Sequence, residues 1–175
     1  MPVTDVRRSP AAGQLATART IWAALLLSPV MFAAVAVTLR LAGAAPAPTG
    51  AGARLPLYYA WLAVTLVGLL GSIRVRRRAL EALAEVAAWR GPDPRPSVEE
   101  EDRAARALLG RLVVAWALLE GPALLGVVYF LLTGARLVLL AALVLHAGAM
   151  AAAYPRRDWF EALAAGSGPT GLVDG

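Results

Sequence analysis

The stretch Leu112–Leu132, LVVAWALLEGPALLGVVYFLL, followed by Thr133-Gly134-Ala135-Arg136 and then by Leu137–Tyr154, LVLLAALVLHAGAMAAAY, decides the fold. A bilayer hydrocarbon core of ~30 Å is crossed by about 20 apolar residues in a helix, and both runs are about that long. Only four residues separate them, so the two helices form a tight antiparallel hairpin. Each run carries one ionisable side chain, Glu120 in the first and His146 in the second. Pro122 stands two residues beyond Glu120.

Two more runs of the same kind lie upstream. Ile21–Leu39 is interrupted only by Ser28, Pro29 and Thr38; Leu57–Ile73 follows it. The Gly/Pro/Ala stretch Ala42–Pro56 between them predicts a loop. Ile21–Leu39 is longer than the apolar part of a secretory signal peptide, so a retained span is expected there. The predicted fold is therefore all-α: a polytopic membrane protein with four transmembrane helices in two hairpins.

Composition agrees. Of 175 residues, 59% are hydrophobic and 17% charged, and the mean hydropathy is +0.62. That excludes a disordered chain and an ordinary cytosolic enzyme, and the lack of Cys excludes a disulfide scaffold. All 17 basic residues are Arg. They flank the apolar runs and do not form a solvated basic face, so nucleic acid is not an expected partner; the bilayer is. Fourteen lie before span one, between spans two and three, or after span four. Arg40, Arg54 and Arg136 lie on the other side. This asymmetry predicts cytoplasmic termini and, with a bacterial source, residence in the inner membrane.

Outside the spans, residues 1–16 and 164–175 are expected to be flexible tails around a membrane domain at 17–163. The segment 74–111 predicts a cytoplasmic helical hairpin. Span two continues through Leu80, Leu83, Ala84 and Ala87 to about Trp89. Gly91-Pro92-Asp93-Pro94-Arg95-Pro96 breaks the chain, and Ser97 with Glu100 predicts a capping box. This hairpin either docks a partner or lies on the membrane face. Residues 155–163, with Trp159 and Phe160 beside Arg156 and Arg157, predict an interfacial helix with an aromatic anchor.

The halves echo each other. Arg19 precedes Ser28-Pro29 much as Arg111 precedes Glu120 and Pro122. Arg77-Arg78 and Arg156-Arg157 are each followed by Glu-Ala-Leu. The pattern suggests a parallel repeat of one hairpin.

Glu120, His146, Ser28 and the prolines Pro29 and Pro122 fall at one depth. A charge there costs about 2.5–3.5 kcal/mol on insertion scales and calls for a partner in the bundle. Counted from the turn, Glu120 and His146 differ by about one helical turn, so a Glu120–His146 hydrogen bond is expected. Each proline also removes a helical hydrogen bond, freeing the carbonyls of Leu25 and Leu118. The site is either a polar clamp between helices or a proton-responsive centre. No catalytic set is present: there is no P-loop, GxGxxG, HExxH or GxSxG. Ser28 has no base on its helix. Zinc lacks ligands, and haem on His146 lacks a second axial histidine. No cofactor and no enzymatic activity are expected. Gly68, Gly71 and Gly148 with Ala152 predict close helix packing, within the bundle or in a homo-oligomer.

The segment Trp116-Ala117-Leu118-Leu119-Glu120-Gly121-Pro122-Ala123-Leu124, with Pro155-Arg156-Arg157 and Glu161-Ala162-Leu163, resembles small uncharacterised bacterial four-span membrane proteins. Its helix is also loosely similar to the carboxylate helix of the proteolipid c subunit of rotary ATP synthases. That likeness implies a proton-carrying role for Glu120 alone. The regular glycine repeat of that family's first helix is missing from Ile21–Leu39. The roles implied are a structural or accessory subunit or, alternatively, a small proton-coupled transporter or channel.

Overall fold

The computed structural model describes residues 10–47, 50–89 and 97–165. They form five helices: α1 Pro10–Leu41, α2 Ala51–Trp89, α3 Val98–Thr133, α4 Arg136–Ala152 and α5 Arg157–Ala165. The fold is all-α. Four stretches, Pro10–Leu41, Gly52–Ala82, Val98–Thr133 and Arg136–Leu163, are long and apolar enough to cross a membrane. Their outward faces suit lipid: Leu27, Met31, Phe32, Val67, Leu70 and Val144 are all exposed.

Local chemistry sets the boundaries. α1 begins on Pro10, whose missing N–H would be unsatisfied at a first helical position anyway. The next N–H, that of Ala11, donates to Oε1 of Glu101 at 3.0 Å. Glu101 is a buried residue of α3, and its carboxylate suits the positive end of α1. The expected flexible tail is thereby corrected: residues 10–16 are helical, and residues 1–9 lie outside the described residues. The predicted loop is also shorter than expected, because α2 begins at Ala51 and carries Pro56 within it. α2 ends at Trp89 as the periodicity predicts, while the Gly91–Pro96 break lies outside the described residues. The capping box is present: Ser97 Oγ accepts from the Glu100 N–H at 3.3 Å, and the Ser97 N–H donates to Glu100 Oε2 at 3.0 Å. α3 ends on Gly134 at φ +76°, a left-handed position natural to glycine.

α3 is the central helix. α1, α2 and α4 all pack on it, whereas α1 and α2 hardly touch each other. Of the two expected hairpins, only α3 and α4, the pair with the four-residue turn, pack directly against each other. The first pair is separated by α3, because α3 carries the buried stripe of large side chains that both neighbours need (Leu108, Leu112, Trp116, Leu119, Phe130). The two halves thus differ in packing, despite the sequence echo.

Two apolar clusters result. One, at the arginine-rich end, joins Leu108, Leu112, Trp116 and Met150 to Trp159, Phe160 and Leu163. The other joins Ala33 and Ala36 to Val127, Phe130 and Leu139. The expectation for α5 needs correction here. Its aromatic face is buried against protein rather than left as a membrane anchor; Phe160 is 1% exposed. The extensions of α1 and α3 beyond the apolar runs supply the surface that covers it.

Candidate functional site

Between the two clusters lies a polar layer set by Pro29, Pro122 and His146. Pro29 lacks the N–H that would bond Leu25 O, and Pro122 lacks the one for Leu118 O. His146, on α4, is 4% exposed. Its Nε2 lies 3.2 Å from Leu25 O on α1. Its Nδ1 lies 3.2 Å from Leu119 O on α3. One imidazole thus bridges three helices and occupies one of the freed carbonyls. A neutral imidazole has a single N–H and can donate to only one of these oxygens. The imidazolium form donates to both.

The second freed carbonyl is treated differently. A Cβ on Gly68 would collide with Leu118 O and stand 2.8 Å from Pro122 Cγ. The α2 backbone therefore closes directly over this oxygen. One turn further, Trp61 Nε1 donates to Pro122 O at 3.1 Å. A Cβ on Gly126 would collide with Ala142 Cβ, so α3 and α4 also meet closely. A cavity of about 60 Å³ remains among His146, Trp61, Thr65 and Pro122. That volume holds a water molecule.

The expected Glu120–His146 hydrogen bond is not formed. Both nitrogens of His146 face backbone carbonyls. Glu120 is half-buried and makes no hydrogen bond or ion pair among the described residues. The depth was right, but successive residues of a helix differ by about 100° in direction. Leu119 faces α4, and Glu120 is turned aside toward the open stripe of α3 at Ala117 and Gly121. Ser28, adjacent to Pro29, lies on α1, and no side-chain hydrogen bond brings it to His146. Among the described residues, no three His, Asp or Glu side chains converge as metal ligands.

A second cluster of polar contacts was not anticipated from the sequence. The last carbonyls of α4 receive donors from all three neighbours. Trp22 Nε1 of α1 donates to Met150 O at 2.8 Å. Arg76 Nη1 of α2 donates to Ala152 O at 2.7 Å. Trp116 Nε1 of α3 donates to Ala153 O at 3.0 Å. A helix end leaves such carbonyls without their usual i+4 donors, and Met150 O keeps only the Ala153 N–H at 3.1 Å. The available signal was two tryptophans near the arginine-rich ends of their spans, each with an N–H to place.

No protein-family model, curated protein or solved structure matches this chain.

Proposed function

We propose that this chain is a multi-pass protein of a bacterial cytoplasmic membrane, with both termini cytoplasmic, and that it serves as a structural or accessory subunit. The observation that carries this reading is the His146 bridge. A buried imidazole ties α1, α3 and α4 together through backbone carbonyls, which makes it a fastening rather than a reaction centre. The arginine asymmetry supports the orientation. The resemblance of Trp116–Leu124 to small bacterial four-span proteins supports the setting. Glu120, half-buried and turned away from His146, is free to meet a neighbouring subunit. The polar core assigned to the subunit is therefore His146 alone.

A second reading has one specific observation in its favour. Two acceptors flank a ring that in its neutral form has one hydrogen, and a water-sized cavity adjoins it. A small proton-coupled carrier or channel would use such a group. Proteoliposomes loaded with a pH-sensitive dye separate the two. The structural reading expects no collapse of an imposed pH gradient by wild-type protein. Collapse by wild type that is lost in His146→Gln would replace that reading with the second. Affinity purification from native membranes then tests the subunit role, for which a stoichiometric partner is the expected outcome.

A further inference from the structure

α2 and α4 both pack on α3 but hardly touch each other, and an open groove of about 600 Å³ runs between them at the arginine-rich end. Leu69, Ile73 and Leu80 line one wall, Ala149 and Ala152 the other, and Leu119 the floor. At ~1.5 Å per residue, the α2 wall is about 16 Å long. Apart from the buried Ser72, its polar members, Arg76, Arg77 and Glu81, lie beyond the apolar run that ends at Ile73. Arg77 pairs with Glu81 at 2.9 Å, so those two cancel.

Arg76 is different. It uses one N–H on Ala152 O and lies over the Trp159 ring, 5.4 Å from its centroid. It makes no ion pair with a carboxylate among the described residues. Arg156 stands in the chain between Ala152 and Trp159, the two residues that Arg76 touches, so both guanidinium groups belong to this corner of the fold. The carbonyls at the end of α4 would repel an anion, but Trp22, Trp116 and Arg76 already cover them. An apolar trough with paired arginines at its mouth repeats the order of a phospholipid, chain then phosphate. Planar guanidinium groups suit phosphate oxygens, and basic pockets between membrane helices take acidic headgroups.

We propose that this groove binds one phospholipid with an anionic headgroup, its phosphate held by Arg76 and Arg156 and an acyl chain laid along Leu69, Ile73 and Leu119. The inference rests on the membrane reading above.

The test is native mass spectrometry of the full chain in detergent, titrated separately with dioleoylphosphatidylglycerol and dioleoylphosphatidylcholine. Expected is one tightly held phosphatidylglycerol, with about a fivefold loss of its affinity in Arg156→Gln and again in Arg76→Gln. Phosphatidylcholine binding should stay unchanged in both, and Arg136→Gln should alter neither lipid. Arg156 is exposed, so its variant keeps the fold even if Arg76→Gln loosens α4. Equal affinity for the two lipids, or an unaltered preference in Arg156→Gln, overturns the proposal. Displacement by excess inorganic phosphate assigns the site to a free anion and also overturns it. Flotation with phosphatidylcholine vesicles separates the two levels. Failure to float overturns the membrane reading and this site with it; flotation without lipid preference overturns the site alone.

Discussion

Pro29 and Pro122 pose the same problem on two helices and receive opposite answers. Each deprives the carbonyl four residues earlier of its helical donor. At Leu25 the answer is chemical: a histidine from a third helix supplies a ring nitrogen. At Leu118 it is steric: Gly68 lets the α2 backbone close over the oxygen, with a glycine hydrogen standing where a Cβ would be. Close C–H contacts of that kind are weakly favourable. An orphaned carbonyl in an apolar bundle therefore needs a neighbour of the right shape as much as a donor. Only the donor solution leaves a titratable group inside.

Five substitutions break or sharpen this contrast. The largest effect is expected at the steric site. Gly68→Leu drives a side chain into backbone, which cannot move aside like a flexible side chain. Overpacking of this kind costs about 3 kcal/mol, at the upper end of its usual range. Thermal unfolding in detergent should show a marked loss, and an unchanged midpoint would mean that α2 does not close on Leu118.

At the chemical site, His146→Ala strands Leu25 O, which Pro29 has already deprived of its helical donor, and about 2 kcal/mol is expected. The sharper form is a double-mutant cycle. Pro29→Ala restores the N–H that Leu25 O lacks, so His146→Ala should cost less in that background. Strict additivity of the two changes would show that His146 does not serve the carbonyl freed by Pro29. Trp61→Phe removes only the bond to Pro122 O. About 1 kcal/mol is expected, within the range of single hydrogen bonds in membrane bundles. The same unfolding assay reads it.

The smallest effect is expected at Glu120. Since it has no partner among the described residues, Glu120→Gln should change monomer stability by less than about 0.5 kcal/mol. A loss as large as that of His146→Ala would place Glu120 back in the polar layer. A change confined to oligomer distribution, read by crosslinking, would place it at an interface.

The span positions, the hairpin turn, the capping box and the end of α2 were legible because each is a local signal: run length, loop length, a Ser and a Glu three apart. The freed carbonyl of Leu25 was legible for the same reason, since a proline's lost bond is fixed by counting back four. The Glu120–His146 pairing failed because rise along an axis can be counted from a turn, while facing depends on how α3 is rotated by its neighbours. α5 was legible as an amphipathic helix with Trp159 and Phe160 on one face. Whether lipid or protein covers that face depends on α1 beginning at Pro10, and that start is stabilised by Glu101, 90 positions away from the Ala11 it caps. The groove with Arg76 was not legible at all. It exists because two helices fail to meet, and sequence patterns describe contacts better than gaps.

The end of α4 carries a consequence for how the chain assembles. Its three donors come from the three preceding spans, and the most distant, Trp22, is 128 positions from its acceptor. None of these bonds can form until the last span has entered beside the others. Closing such long loops is slow relative to local helix formation. The first three spans can already gather around α3, and the fourth adds the bonds that fasten its own end to all of them. A chain truncated before α4 would keep α1 and α2 on α3 but leave Leu25 O, Trp22 and Trp116 without the partners that α4 supplies.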